Sequence, residues 1–240
     1  MIKPKKHFAQ YFLKNKNIIA KIIKSADLKI SDFILEIGPG TGVLTKELAK
    51  YAKLVIAVEK DKQMVNYLLK NTKKTNLQII QSDILKLNIN TLLRRYRISK
   101  INKIIANLPY YITGQFLKKF SGIFMVLMLQ KEVAKRICSK KTSLLSLAVK
   151  SWGKPRIISY VSGSAFSPKP KVDSAIIKIL PLKKKYKINF ALAKSAFAQK
   201  RKQIGNTLDK KLLKKAKINP KLRPEDLDIK NWEILSKICG

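Results

Sequence analysis

The sequence predicts an α/β protein built on a mainly parallel sheet, with helices on both faces. Short apolar runs alternate along the chain with segments of helical periodicity, which is the order that parallel strands and crossover helices require. A glycine-rich stretch, EIGPGTG, directly follows the first of these runs and precedes a predicted helix. After Pro181 the strand pattern stops, and the remaining chain is predicted to form short helices.

The predicted elements begin with a helix over residues 15–26, whose isoleucines recur at helical spacing. Five short apolar runs are predicted to form parallel strands: 33–38, 54–61, 77–83, 101–107 and 123–130. Helices are predicted between and after these strands, beginning with 41–52. Two further apolar runs, 156–166 and 174–180, are predicted to close the sheet as a pair of strands.

A domain boundary is predicted near residue 183, which gives a sheet domain over 1–182 and a small basic helical domain over 183–240. The second segment carries 17 Lys and Arg against 5 Asp and Glu, and several of its charge runs flank aromatic residues. Charge runs that flank aromatic residues favour nucleic acid. We therefore expect a nucleic-acid-binding surface there, with a merely solvated surface as the alternative.

Composition narrows the classes of partner and site. The 240 residues carry a formal net charge of +38, which favours a polyanionic partner, nucleic acid before an anionic membrane. A second interpretation is that a bias toward Lys, Ile and Asn inflates the charge. With 2 cysteines and 1 histidine, neither a disulfide nor a metal site is expected. No secretory signal or membrane-spanning run is predicted, so we expect a cytoplasmic protein.

Three motifs at predicted strand ends indicate a nucleoside site. Gly38, Gly40 and Gly42 of EIGPGTG lack a Cβ, so a ligand can lie against the backbone there. Glu59 lies at the end of the next strand and can accept hydrogen bonds from both hydroxyls of a ribose. Asp83 ends the third strand, where its carboxylate can accept from the exocyclic amine of an adenine. Because the carboxyl ends of parallel strands share one edge of the sheet, these groups are expected to meet.

Each motif also has a simpler interpretation: a tight strand-to-helix turn, a solvated carboxylate at a strand end, and a helix cap at Asp83. The spacing G-x-G-x-G differs from the dinucleotide pattern, and the triphosphate-binding motif G-x-x-x-x-G-K-[ST] is missing from the sequence. A nucleoside cofactor without phosphates is therefore expected, and S-adenosylmethionine fits that description.

A fourth motif, Asn107-Leu108-Pro109-Tyr110, leaves the fourth predicted strand through an amide, a proline and an aromatic ring. The Asn107 carboxamide oxygen and the next backbone carbonyl can accept both N–H groups of an exocyclic amine. That geometry would localise the nitrogen lone pair, so positioning would supply most of the catalysis. Pro109 stiffens the turn, and Tyr110 offers a face for base stacking. For Tyr111 the alternative is an aromatic core residue.

The chain resembles the bacterial small-subunit (16S) ribosomal RNA adenine-N6,N6-dimethyltransferases in six stretches: EIGPGTG, AVEKD, QSD, ANLPYYI, LMLQKEVAKRI and FSPKPKVDSAI. The resemblance extends to HFAQYFL near the start and FAQKRKQIGNTL in the tail. It implies a class I S-adenosylmethionine-dependent methyltransferase fold, Rossmann-like with a seven-stranded sheet, and a small helical C-terminal domain. It also implies a monomer that dimethylates N6 of two adjacent adenosines near the 3′ end of 16S RNA, late in small-subunit assembly.

The resemblance assigns roles to residues by matching position. The cofactor set lies in an N-terminal cap and at the strand ends: Tyr11, Leu13, Gly38, Gly40, Glu59, Asp83 and Asn107. The adenine set surrounds the target base, which is extruded into the pocket as in other base-modifying enzymes: Asn107, Leu108, Pro109, Tyr110 and Phe166.

The sequence departs from the family in the cap and in one loop. Tyr11 stands where the family usually has Asn or His, and HFAQ replaces the commoner R-F-G-Q. Between Arg136 and Ser146 the usual Pro-Gly and Tyr-Gly-Arg-Leu-Ser elements are shortened to ICSKKTSLLS. That loop lies near the substrate entrance in the family, so we expect substrate docking to differ there.

Two other functions compete with this interpretation. The related 23S RNA dimethylases that confer macrolide resistance share the chemistry, but the Asn107 tetrad, the glycine loop and the FAQKRK tail favour the small-subunit enzymes. A non-catalytic assembly factor would bind the immature subunit without methylating it. The intact glycine loop, Glu59 and the tetrad argue against a loss of activity.

Overall fold

A computed structural model describes residues 10–239, without the side chain of Tyr110. The strands in this part of the chain are β1 (Phe12–Leu13), β2 (Phe33–Ile37), β3 (Leu54–Glu59), β4 (Leu77–Gln81), β5 (Lys103–Asn107), β6 (Phe124–Gln130), β7 (Gly153–Val161), β8 (Phe166–Ser167) and β9 (Ser174–Pro181). The α-helices are α1 (Lys16–Ala26), α2 (Val43–Leu48), α3 (Lys62–Asn71), α4 (Ile89–Arg95), α5 (Thr113–Lys119), α6 (Lys131–Cys138), α7 (Leu144–Lys150), α8 (Phe190–Ala198), α9 (Lys210–Lys215) and α10 (Ile229–Ile238).

Within residues 10–239, seven strands form one sheet in the order β4-β3-β2-β5-β6-β9-β7. The five neighbours from β4 to β6 pair in parallel, and β9 pairs with β6 in the antiparallel sense. This arrangement confirms the predicted α/β fold with a mainly parallel seven-stranded sheet. Its parallel strands are mostly apolar, as expected for strands that helices cover on both faces.

Two predicted elements differ from the structure. The strand predicted over 156–166 is two strands, because β7 ends at Val161 and a short 3₁₀ turn over Gly163–Ala165 intervenes. β8 then leaves the main sheet and pairs with β1 in a separate two-stranded sheet. The helix predicted over 41–52 is shorter in the structure. Gly42 has a left-handed backbone conformation, so α2 begins only after it, and the helix ends at Leu48.

Helix α1 covers one face of the sheet through an apolar stripe. Asn15 caps its first turn, accepting hydrogen bonds from the backbone N–H of Asn17 and Ile18. Ile18, Ile19 and Ile22 are buried and belong to the same core cluster as the sheet strands. The sequence spacing of these isoleucines therefore positions the helix that leads out of β1.

The chain folds into two compact units. The first comprises residues 1–134 and 156–180, and the second comprises residues 135–155 and 181–240. The predicted boundary near 183 lies close to the start of the last segment. The second unit, however, also takes in residues 135–155, which the sequence assigned to the sheet domain.

The second unit has its own apolar core. Leu147 of α7 belongs to the same buried cluster as Ala193 of α8, Leu213 of α9 and Trp232 of α10. The Trp232 ring stacks on Phe197 with a centroid distance of 5.5 Å. This shared core explains why residues 135–155 group with the tail.

A buried ion pair holds the amino-terminal edge of the sheet. The Lys103 ammonium, at the start of β5, lies 2.7 Å from the Asp32 carboxylate just before β2, and both side chains are about nine-tenths buried. The same ammonium donates to the carbonyl of Asp27, the residue directly after α1. A buried charge without its partner is strongly destabilising, so this pair links α1, β2 and β5.

The carboxyl group of Glu36, on β2, is almost fully buried. Burial raises its pKa to about 8, the nearby Thr45 hydroxyl opposes this shift, and the Glu59 charge adds to it. Among the described residues, neither Glu36 Oε2 nor the Thr45 hydroxyl has a partner at hydrogen-bond distance. Burial therefore favours the protonated form of the Glu36 carboxyl group in the folded protein.

Replacing Lys103 with Met is expected to lower the free energy of unfolding by about 3 kcal/mol, because it leaves the Asp32 carboxylate buried without its cation. Urea denaturation would measure this change. Lys100→Met, at an exposed position just before the same strand, is the matched control and should change the free energy by less than about 0.5 kcal/mol. Equal effects of the two substitutions would contradict the structural role of the pair.

Replacing Glu36 with Gln is expected to flatten the pH dependence of stability. Between the ordinary pKa of 4.5 and the folded value of about 8, the folded chain holds a proton that the unfolded chain has lost. The free energy of unfolding therefore falls as pH rises through this window, by at most about 1.4 kcal/mol per pH unit. Urea denaturation across the window should show a smaller fall for the variant, whereas Glu47→Gln on the surface of α2 should keep the wild-type slope. Coincident slopes for wild type and Glu36→Gln would contradict a protonated Glu36.

Candidate active site

A pocket opens at the carboxyl ends of the parallel strands, where the strand order reverses between β2 and β5. Chain connections diverge at such a point, which leaves a crevice beyond the strand ends. The pocket is lined by the cap segment (residues 10–13, before α1), the loops after β2, β3, β4 and β5, and Phe166 of β8.

The glycine loop after β2 is fixed by its backbone conformation. Gly38, Gly40 and Gly42 all have positive φ, between 55° and 77°, a conformation that other residues adopt only under strain. A Cβ on Gly40 would lie 3.0 Å from the ring of Phe12. The absence of a side chain at Gly40 therefore allows the cap segment to pack closely against the glycine loop. A Cβ on Gly42 would lie 2.7 Å from Leu68, which shows that Gly42 serves the packing of α2 on α3.

Glu59 ends β3 at the rim of the pocket. One of its oxygens, Oε1, accepts from the backbone N–H groups of Lys60 at 2.8 Å and Asp61 at 2.9 Å. Burial raises the pKa of Glu59, and the amides of Asp61, Lys60 and Gly40 partly offset that rise. The carboxylate is thus held in one orientation by the turn that follows its own strand.

Asp83 lies beyond the end of β4, where the structure gives it two partners. Its Oδ1 accepts from the backbone N–H of Leu85 at 2.9 Å, and its Oδ2 lies 3.0 Å from the ammonium of Lys60. Burial alone would raise the pKa of Asp83, but Lys60 and the Leu85 amide hold it below its usual range. The carboxylate therefore stays ionised and accepts hydrogen bonds only.

Asn107 ends β5 and is held by the cap segment. Its side-chain Nδ2 donates to the backbone carbonyl of Tyr11 at 3.2 Å. Within the described part of the chain Oδ1 has no corresponding partner, so it is the atom left to accept a hydrogen bond from a ligand. Tyr11 supports Asn107 through its backbone, and this contact is independent of the family difference in the Tyr11 side chain.

The cap segment crosses the pocket and is attached at both ends. Gln10 Nε2 donates to Asp61 Oδ2 at 2.9 Å. At the other end, Leu13 pairs with Phe166 in the ladder between β1 and β8. This ladder brings Leu13 and Phe166, which are far apart in sequence, to the same wall of the pocket.

The predicted site residues that the structure describes lie together in this pocket, while their individual roles stay predictions. Its lining includes ten of them: Tyr11, Leu13, Gly38, Gly40, Glu59, Asp83, Asn107, Leu108, Pro109 and Phe166. The side chain of Tyr110 falls outside the described residues, so its predicted stacking role stays a prediction. Residues 7–9 of the HFAQYFL stretch also lie outside them.

Several lining residues were not singled out from the sequence. Gln10 and Lys60 act through partners distant in the chain, and Glu36 acquires its properties only through burial. Tyr111 lines the pocket but is 63% exposed, so the alternative of an aromatic core residue is wrong. Position within EIGPGTG was the one signal that could have identified Glu36.

The shortened loop between Arg136 and Ser146 is anchored within the second unit. The Thr142 backbone N–H donates to the Glu225 carbonyl at 2.7 Å, and the Thr142 hydroxyl donates to the Leu227 carbonyl at 2.6 Å. An exposed ion pair joins Lys141 to Glu225. These contacts fix the loop to the turn before α10; its predicted effect on substrate docking stays a prediction.

Residues 10–239 lack a membrane-spanning helix and a metal-binding cluster. Over that range no helix is both long and apolar enough to cross a membrane. Nor does that range contain a cluster of three or more His, Cys, Asp or Glu side chains that could hold a metal ion.

Solved structures with the same fold include RNA methyltransferases. A dimethyladenosine transferase from Plasmodium falciparum is 28% identical, with a TM-score of 0.77 over 93% of this chain and 95% of that one. The 23S rRNA methyltransferase ErmE has a TM-score of 0.75 over 94% of this chain and 98% of its own, but at 21% identity it supports the fold alone.

Sequence comparison identifies the family. Proteins named ribosomal RNA small subunit methyltransferase A are similar over nearly the whole chain. The protein from Nostoc sp. is 35% identical over 100% of this chain and 99% of its own. The protein from Mycoplasma capricolum is 39% identical over 96% of each. The family model for ribosomal RNA adenine dimethylase matches residues 1–238. With this pocket at its strand ends, the chain belongs to the ribosomal RNA adenine dimethylase family.

Proposed function

We propose that this protein transfers methyl groups from S-adenosylmethionine to N6 of two adjacent adenosines in the 3′-terminal hairpin loop of 16S ribosomal RNA. The substrate is the RNA of the immature small subunit, and the protein acts as a monomer in the cytoplasm. Full-length similarity to proteins named ribosomal RNA small subunit methyltransferase A supports this choice of substrate.

One observation carries the proposal: the amide turn after β5 and the glycine loop after β2 meet in one pocket. A Cβ on Gly38 would lie only 3.3 Å from the backbone carbonyl oxygen of Asn107. A cofactor cradled by the glycine loop would therefore lie beside the amide that holds the target base.

The pocket residues fit a cationic nucleoside cofactor. When bound, S-adenosylmethionine supplies a methyl group on a positively charged sulfur. Glu59 is held by backbone amides at the rim, where it would accept from the ribose hydroxyls. Asp83 is kept ionised by Lys60 and would accept from the adenine amine. Glu36 adds a buried carboxyl group behind the glycine loop, with one oxygen unpartnered among the described residues.

Asn107 would orient the amine of the target adenine. Because its Nδ2 is engaged by the Tyr11 carbonyl, its Oδ1 is available to accept one N–H of the amine. The Leu108 carbonyl would accept the other, and Pro109 stiffens the turn directly after it. With both N–H groups held, the lone pair of the target nitrogen would be localised and directed toward the neighbouring cofactor pocket. The nitrogen would form its new bond to the methyl carbon as the carbon–sulfur bond breaks, and the proton that it can no longer hold would pass to solvent. Because the amine becomes acidic as it is methylated, no general base is needed before transfer, and positioning would supply most of the catalysis.

A methyl-transfer assay tests the proposal. Purified protein and labelled S-adenosylmethionine are mixed with unmethylated small subunits, with 23S RNA as a parallel substrate, and the modified nucleoside is identified by mass. We expect N6,N6-dimethyladenosine at two adjacent positions near the 3′ end of 16S RNA. Label on 23S RNA alone would indicate that the protein is one of the 23S RNA dimethylases that confer macrolide resistance. The absence of label on both RNAs would indicate a non-catalytic assembly factor.

Replacing Asn107 with Ala is expected to lower the methylation rate at least about 100-fold, because the amine is no longer oriented. RNA affinity, measured by filter binding, should stay within about twofold, since the backbone of the turn remains. Asn71→Ala is the matched control: that amide donates to a backbone carbonyl within α3 at an exposed position. Normal turnover by Asn107→Ala would reject the role of the amide.

Replacing Lys200, Arg201 and Lys202 together with Gln is expected to weaken binding to the immature subunit. These three side chains are exposed in the basic second unit. If each neutralises one phosphate, the slope of log affinity against log salt should fall by about 0.7–0.9 for every side chain replaced. The control replaces three other exposed lysines with Gln, so the same charge is lost: Lys24, Lys29 and Lys100. These residues precede β2 and β5, at the edge of the sheet opposite the pocket. Equal slopes for the two triples would reject a specific docking role for the tail.

A further inference from the structure

Tyr111 is an exposed aromatic ring at the mouth of the pocket. Its side chain is 63% exposed although it contributes to the pocket lining. Large aromatic side chains usually bury most of their surface, because each contributes a large hydrophobic area. The sequence places Tyr111 directly after the tetrad, but neither the cofactor set nor the adenine set includes it.

The ring is presented on a fixed backbone. Residues Tyr110–Ile112 form a 3₁₀ turn, in which the backbone N–H of Ile112 donates to the Pro109 carbonyl at 3.3 Å. Ile112 is buried, and the chain continues directly into α5, whose Phe116 is fully buried in the core. A tyrosine on such a base has few rotatable bonds to order, so it loses little conformational entropy when it binds a flat partner.

A cation lines the same pocket as the ring. Lys60 and Tyr111 both belong to the lining, and the Lys60 side chain is half-exposed while its ammonium pairs with Asp83. An aromatic face and a partly exposed ammonium at one opening suit single-stranded nucleic acid, in which the base stacks on the ring and the backbone passes near the cation.

The proposed substrate supplies a base for this position. Its two target adenosines are adjacent, so when one base occupies the pocket, the other must lie within one nucleotide of the mouth. We propose that Tyr111 stacks on the adenosine next to the one in the pocket and so holds the pair in register. This inference rests on the proposed function, because it takes its substrate from there. It makes Tyr111 a positioning residue for RNA that has no part in binding the cofactor.

Steady-state methylation of small subunits by Tyr111→Ala tests the inference. We expect the KM for the subunit to rise about tenfold, in line with the loss of one stacked base, while the affinity for S-adenosylhomocysteine stays within twofold. Tyr111→Phe and Tyr111→Trp keep a stacking face and should restore the KM. Tyr51→Ala is the matched control, since Tyr51 is 47% exposed and lies after α2, away from the residues that line the pocket.

A second substrate isolates the stacking partner. Small subunits reconstituted with an abasic residue in place of the neighbouring adenosine should raise the KM of the wild-type protein about tenfold. Tyr111→Ala should show little further loss on this substrate, because the two changes remove the same interaction. Independent, additive losses would overturn the proposal.

The outcomes separate this inference from the proposed function. Failure of the wild-type protein to label small subunits would reject both. Labelling by the wild type with an unchanged KM for Tyr111→Ala would reject the stacking role alone. A loss of S-adenosylhomocysteine affinity in Tyr111→Ala, in a variant that unfolds like the wild type, would also reject it, because the ring would then cover the cofactor.

Discussion

Strand β2 is hydrogen-bonded on both sides to parallel neighbours, and the geometry of the pocket depends on this pairing. Ile37 pairs with Val58 of β3 on one side and with Ala106 of β5 on the other. The next residues along the three strands are Gly38, Glu59 and Asn107. A shift of one residue in either register would turn one of these side chains to the opposite face. The buried sheet therefore sets the spacing between the cofactor loop and the amide turn.

Charge is distributed unevenly around this frame. The chain carries a net charge of +38, which suits RNA but would oppose the cationic cofactor proposed above. Glu59 and Asp83 line the pocket, and their carboxylates would act at close range on a bound cation. Glu36 also lines the pocket, but burial favours its protonated form, so it adds little negative charge there. The long-range field of the protein can thus attract the nucleic acid, while the nearby Glu59 and Asp83 carboxylates locally favour a cation.

Much of this fold and site could be predicted from the sequence, because strand ends and glycine turns are local features. The five parallel strands lie where the apolar runs predicted them, and the site residues converge because parallel strands end at one edge. Long-range contacts could not be predicted in this way. The pairing of β1 with β8 and the hydrogen bond between Gln10 and Asp61 join segments whose sequences carry no mutual signal. The exposure of Tyr111 depends likewise on the burial of Ile112 and α5.

The division of the chain into two units has a consequence for biosynthesis. Residues 135–155 are synthesised before β9, yet Leu147 belongs to a core whose other members include Trp232 and Leu235. During N-to-C synthesis, α7 therefore leaves the ribosome before the residues that cover its apolar face have been made. Roughly ninety more residues must then be translated, at about 5–20 per second, before that face can be buried. A stop codon at the apparent boundary near 183 would leave that face permanently exposed, so a nascent chain shortened there is a candidate for aggregation and proteolysis. The last helix thus completes a hydrophobic core that the chain begins before its sheet is finished.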